Sequence, residues 1–127
     1  MSYIFHITSR EQWSQAEQAG SYQADSLASE GFIHCSTSDQ VVKVANAYYP
    51  GQTGLVLLCI DTDGLDSEVR FEDASGAQFE PGEQFPHIYG PVNVDAVVKV
   101  IAWEPGLNGL FMVPGRTVYL KTAGEAC

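Results

Sequence analysis

The sequence predicts an α+β fold, and three observations carry that prediction. Helix signals are confined to the first half of the chain. Strand signals dominate the second half. A continuous apolar run, Leu55-Val56-Leu57-Leu58-Cys59-Ile60, has the length and composition of a central strand buried on both faces. With 127 residues, 45% of them hydrophobic and 17% charged, the chain fits a single domain spanning 1–127 that can bury a continuous core.

The elements follow in order. Tyr3-Ile4-Phe5-His6-Ile7 alternates and is rich in β-branched and aromatic residues, as a first strand would be. Ser9, followed three residues later by Gln12, forms a capping-box pattern that opens a helix of about ten residues, closed at Gly20. After an irregular stretch, Gly31-Phe32-Ile33-His34-Cys35-Ser36 reads as a second strand. A second helix, Asp39 to about Tyr49, is expected to be capped by Ser36, Thr37 or Ser38 and stopped by Pro50-Gly51. Val69-Arg70-Phe71-Glu72 alternates like an edge strand, and Ser75-Gly76 reads as a hairpin turn. Phe85 to Pro91 is a short extended segment bracketed by prolines, which suits an edge position. Ala96 to Trp103 is another apolar strand. From Glu104 the Pro/Gly spacing points to an irregular end, with a last strand at Thr117 to Leu120.

Charge and cysteine content narrow the function classes. Six Lys+Arg against sixteen Asp+Glu give a formal charge of −10, and the basic residues (Arg10, Lys43, Arg70, Lys99, Arg116, Lys121) stand singly. Nucleic-acid binding draws most of its affinity from clustered cations that neutralise phosphates, so no extended nucleic acid is expected as a partner. A small anionic ligand remains open, since one arginine can hold a phosphate locally. No apolar run approaches the roughly 20 residues needed to span a bilayer, so no membrane partner is expected. The N-terminus lacks the basic and apolar regions of an export signal, and the three cysteines (Cys35, Cys59, Cys127) lack CxxC spacing. Reduced thiols and a cytoplasmic location are expected.

The chemistry resides in the histidines. Only three occur, and residues i and i+2 of a strand share a face, so His6 points with Thr8, His34 with Ser36 and His87 with Tyr89. Each pair sets a titratable donor/acceptor beside a neutral hydroxyl, suited to gripping sugar hydroxyls or phosphate oxygens, or to moving a proton. The bland alternative is three satisfied structural histidines. Arg70 and Glu72 share a face and either pair with each other or line the site. The Ser36-Thr37-Ser38 run offers an anion site at a helix start or plain N-capping. Cys35 faces away from His34, which argues against a Cys/His nucleophile pair. Trp13, Tyr48, Tyr49 and Trp103 read as core or rim residues rather than a base-stacking platform.

At this point the residues carry a resemblance. Tyr3 to Ile7, Trp13, Gly20-Ser21-Tyr22, Glu30 to Ser36, Gln40, Val44-Ala45-Asn46, Ile60-Asp61 and Phe85 to Pro91 look like a bacterial family, domain of unknown function 952, over about residues 1–103. The stretches EGFIHCS and FPHIYGP are its most distinctive parts. Members of that family resemble the ADP-ribosyltransferase fold, a split β-sandwich, here with two helices in the N-terminal half, whose cleft holds NAD in relatives. The resemblance implies that His6 grips the ribose of NAD and that Ser36, in His34-Cys35-Ser36, faces the nicotinamide side. The third position of the fold falls in Phe85 to Tyr89 and offers His87 where many transferases carry a glutamate. A glutamate there stabilises an oxocarbenium-like transition state, which an imidazolium does not. A histidine-rich set resembles instead the RNA 2′-phosphotransferase branch, whose arginines are poorly matched here.

The leading expectation is therefore a histidine-lined cleft for a nucleotide-like or phosphorylated small molecule, with NAD as substrate and ADP-ribosyl transfer as the reaction. His6, His34 and His87 are the candidate catalytic residues, and Thr8, Ser36, Thr37, Tyr89, Arg70 and Glu72 the candidate ligand contacts. Other readings stand beside it. The two His-x-Thr/Ser tripeptides resemble the acid and base of 2H phosphoesterases, although the chain shows no internal repeat. Three imidazoles would suit catalytic zinc, but no HxH or HxxxH spacing occurs and no metal is expected. A ligand-sensing or interaction module would use the same pocket without chemistry.

Overall fold

The computed structural model describes residues 2–74, 79–114 and 119–122. The class is α+β, with antiparallel pairing throughout the sheets. Elements run β1 (Tyr3–Ser9), α1 (Arg10–Ala19), β2 (Ser21–Tyr22), α2 (Asp25–Glu30), β3 (Ile33–His34), α3 (Val41–Tyr48), β4 (Leu55–Asp61), β5 (Glu68–Asp73), β6 (Gln84–Tyr89), β7 (Val92–Asn93), β8 (Val97–Trp103) and β9 (Tyr119–Thr122). A four-stranded sheet has the order β1-β4-β8-β9, a three-stranded sheet β3-β6-β5, and β2 pairs with β7.

The apolar run at β4 occupies the middle of the larger sheet, where its alternate side chains feed two cores. Val56, Leu58 and Ile60 join Ile4, Trp13, Ile33, Ile88, Val97 and Val100. Leu55, Leu57 and Cys59 join Phe5, Ile7, Val41, Ala45, Trp103 and Phe111. Each fully buried Leu or Ile here contributes roughly 1.5–3 kcal/mol relative to exposure. The smaller sheet turns Ile33 and Ile88 into the first core, and this leaves the opposite face of β3, β6 and β5 for a site.

The two sheets are spliced at one point. Phe5 and Ser36 exchange both backbone hydrogen bonds at 2.8 Å, outside any named strand pair of Ser36. That exchange ties the edge strand β1 to the chain just beyond β3. α1 starts where Ser9 Oγ accepts the Gln12 N–H and ends where Gly20 takes φ 85°.

Several expectations are corrected. Three helices form in the first half rather than two: the stretch after Gly20 contains β2 and α2, a six-residue helix with no side-chain cap and no buried residue. The segment beginning at Phe85 is a strand in the centre of its sheet, not at an edge, while β5 holds the edge position expected for it. A central proline is tolerated because β3 is so short. Pro86 accepts the Cys35 N–H through its carbonyl, and the donor it lacks would be called for only past the last β3 pair, His34 with His87. α3 begins at Val41, and none of Ser36, Thr37 or Ser38 caps it through a hydroxyl. Gln40 and Val41 N–H groups instead bond the Thr37 carbonyl, and the Gln40 side chain accepts the Thr37 N–H. The Ser75-Gly76 turn lies outside the described residues. β9 is Tyr119–Thr122, two residues later than the strand expected there. Cys35 is a free thiol but Cys59 is disulfide-bonded, so the expectation of reduced thiols does not hold throughout. No helix among the described residues is long and apolar enough to cross a membrane.

Candidate functional site

The register of the smaller sheet decides which side chains meet. His34 lies opposite His87, Arg70 opposite His87 on the other side, Glu72 opposite Phe85 and Glu68 opposite Tyr89. Residues directly opposite share a face. Phe32, His34, Phe85, His87, Tyr89 and Glu72 therefore line one side of a cavity of about 970 Å³, with β1 residues, Tyr22, and Tyr48 and Tyr49 at the end of α3 completing its wall.

Within it, His87 is held by a ring contact and a hydrogen bond. Its ring is 6% exposed and stacks on Phe32, with centroids 4.1 Å apart and planes 18° from parallel. Nδ1 lies 2.8 Å from Glu72 Oε1, and the Tyr89 hydroxyl donates to the same oxygen at 2.5 Å. The Tyr89 hydroxyl first, then the His87 N–H, hold the Glu72 carboxyl below its usual range. An ionised Glu72 can only accept, so His87 donates to it from Nδ1–H. Both bonds fall on Oε1, which leaves Oε2 without a protein partner among the described residues.

His34 sits beside this group, its ring 5.4 Å from that of His87 and 4.8 Å from Phe32. It is half exposed, and Nε2 lies 3.1 Å from Glu30 Oε2. Ser36, 4% exposed, lines the cavity with its hydroxyl free of protein partners among the described residues.

His6 occupies a different environment. Its Nδ1–H donates to the His34 carbonyl at 2.6 Å, so Nε2 accepts from the Tyr22 hydroxyl at 2.7 Å. Burial drives its pKa down to about 4, against a smaller upward pull from the His34 carbonyl. The Tyr22 hydroxyl is pushed up to about 12, again mainly by burial. His6 is thus neutral and occupied at both nitrogens. It borders the cavity yet meets His34 through the main chain, not ring to ring.

The structure brings His6, Thr8, His34, Ser36, Glu72, His87 and Tyr89 to one hollow. Two other expected contacts lie outside it. Thr37 borders a separate depression with Tyr3 and Phe71. Arg70 bonds Glu68 at 3.0 Å rather than Glu72, with its guanidinium 4.5 Å from the Tyr89 ring centroid. Thr8 donates to Gln12 Oε1 at 2.7 Å. Cys35 turns into the core, where burial pushes its thiol up, so it is no nucleophile.

Sequence reasoning missed Phe32, Glu30 and Tyr22 as site residues. Phe32 was within reach, since it stands two residues before His34 and so shares its face. Tyr22 and Glu30 carried no such signal, because their positions depend on how β2 and α2 return the chain. No group of three His, Cys, Asp or Glu residues able to hold a metal ion occurs among the described residues.

Residues 7–100 match the family described as Protein of unknown function (DUF952). The chain belongs to that family. A crystal structure of protein CC0527 from Caulobacter crescentus is similar to it, with 28% identity, 87% of this chain and 94% of that chain covered, and a TM-score of 0.76. The solution NMR structure of CC0527 gives 29% identity, coverage of 88% and 93%, and a TM-score of 0.74. No curated protein matches the chain.

Proposed function

We propose that the cavity binds a ribose-bearing, nucleotide-like small molecule, and that its reaction is transfer of an ADP-ribosyl group from NAD. The observation that carries this reading is the Glu72 carboxylate, which lines the cavity and is anchored through Oε1 by His87 and Tyr89, with Oε2 left without a protein partner among the described residues. The resemblance of the family to the ADP-ribosyltransferase split β-sandwich left one chemical gap, a histidine where a glutamate is wanted. Glu72, on the neighbouring strand and bonded to that histidine, fills it.

The roles follow from protonation and position. The C1′–N bond to nicotinamide breaks, and its electron pair leaves on the ring nitrogen. Ionised Glu72 stabilises the positive charge that develops on the ribose, an interaction stronger in the transition state than in the ground state. The acceptor hydroxyl forms the C1′–O bond and gives its proton to His87 Nε2. Phe32 fixes the His87 ring, while His34 and the Ser36 hydroxyl offer contacts to sugar or amide groups. His6 serves as a scaffold for the His34 carbonyl rather than as an acid or base. For the same reason the phosphoesterase reading is not pursued, since it needs His6 to exchange a proton. The cavity volume suits a ligand of this size.

Calorimetry with NAD and ADP-ribose should give saturable binding to the wild-type protein. Glu72→Gln should still bind but lose release of nicotinamide by about 10²-fold or more, the scale of removing one preorganised charge. Absence of binding by both ligands would refute the reading.

A further inference from the structure

A nucleotide carries phosphate, yet the charged residues lining the cavity, Asp25, Glu30, Glu72 and Asp73, are all acidic, and no Lys or Arg is among the described lining residues. An anionic group placed beside them would be repelled. Two cations stand over aromatics that line the cavity. Lys43 lies 5.8 Å from the Phe79 ring centroid, and Arg70 lies 4.5 Å from that of Tyr89.

These two cations differ in how firmly they are held. Lys43 Nζ contacts both oxygens of Glu83, and that carboxylate is buttressed by Gln40 at 3.2 Å, whose amide also reaches the Gln84 carbonyl at 2.8 Å. Displacing Lys43 would break two contacts with a carboxylate that is only 17% exposed, whereas Arg70 has an exposed partner. Arg70 lies over the Tyr89 ring and makes a 3.0 Å ion pair with Glu68, in which both side chains are more than half exposed. Such an exposed pair contributes little and is readily exchanged. A guanidinium also has further donors in a planar fork that matches phosphate oxygens.

Resting on the nucleotide reading above, we infer that Arg70 is the anion contact of the site: it trades Glu68 for a phosphate of the ligand at the rim beside Tyr89. The ligand's phosphate then stays outside the acidic interior, and only its neutral or cationic portion enters toward Glu72 and His87. Glu68 acts as an internal competitor that sets how strongly phosphate is preferred.

The test compares nicotinamide riboside with nicotinamide mononucleotide, which differ by one phosphate, by calorimetry at low ionic strength. The wild-type protein should prefer the mononucleotide by roughly tenfold, the scale of one charge-assisted contact. Arg70→Ala should erase that preference by lowering mononucleotide affinity far more than riboside affinity, and Glu68→Gln should widen it. In parallel, the Arg70 Nε–H signal, assigned by its loss in Arg70→Lys, is followed by NMR as inorganic pyrophosphate is added, with saturable movement expected. A static Arg70 signal overturns the inference, as does equal weakening of both ligands by Arg70→Ala. If neither nucleotide ligand binds but the Arg70 signal moves with pyrophosphate, the anion contact stands and the nucleotide reading falls.

Discussion

Acid should destabilise this protein through His6, beginning at a pH above the ordinary carboxylate range. The ring is buried, donates to the His34 carbonyl and accepts from Tyr22, and its pKa falls from the ordinary 6.5 to about 4. Above pH 6.5 it is neutral in both folded and unfolded chains, and its contribution is fully present. As the pH drops below 6.5, the unfolded chain takes up a proton that the folded chain refuses until about pH 4. Stability therefore falls across that window. With those two pKa values, moving from pH 7.5 to pH 5 costs about 2 kcal/mol, a large part of the usual stability of a small domain. Urea denaturation at the two pH values measures it. His6→Asn is the control, because its amide can still donate to the His34 carbonyl while nothing at position 6 titrates. The mutant should be less stable at pH 7.5 but should lose about 2 kcal/mol less than wild type on acidification. Equal losses in the two proteins would refute the reasoning.

Other substitutions separate packing from surface charge. Leu58→Ala, at a fully buried position of the central strand, should cost about 2–5 kcal/mol by urea denaturation. Lys43→Met should cost less than about 1 kcal/mol in the same assay, because its ion pair with Glu83 is exposed on the lysine side. Gly90→Ala should cost about 1–3 kcal/mol, with the loss read from the urea midpoint. A Cβ there would stand 2.4 Å from the Ser67 hydroxyl oxygen and 3.0 Å from its Cβ, at a φ of 155°. Ser67 cannot simply turn away, since its hydroxyl donates to the Pro91 carbonyl at 2.6 Å.

What was legible in the sequence was what strong local patterns encode. β1, β4 and β8 are long apolar or alternating runs, and α1 carries both its cap at Ser9 and its stop at Gly20. The short elements were not legible. β2 has two residues, and α2 buries none of its side chains, so neither shows a period. Pro86 misled because its penalty depends on which neighbour is called on for a donor, and that is fixed by the length of β3 rather than by β6 itself. The site shows the same division. His34 and His87 were chosen from their own strands and do meet. The pairing of Glu72 with His87 rests on the register Glu72 to Phe85, which local pattern does not specify. His6 shows the limit of counting chemical side chains: the hydrogen bonds that satisfy it become visible only when Tyr22 returns to it.

The central claim is that the face carrying Phe32, His34, Glu72, His87 and Tyr89 receives the ribosyl end of NAD. Backbone amide NMR during titration with NAD tests it most directly. The account predicts saturable shifts concentrated at Phe32 to Ser36, Glu72 and Phe85 to Tyr89, with the amides of β8 unmoved. Shifts confined to β8 and the 104–114 segment, or none at millimolar NAD, would contradict it.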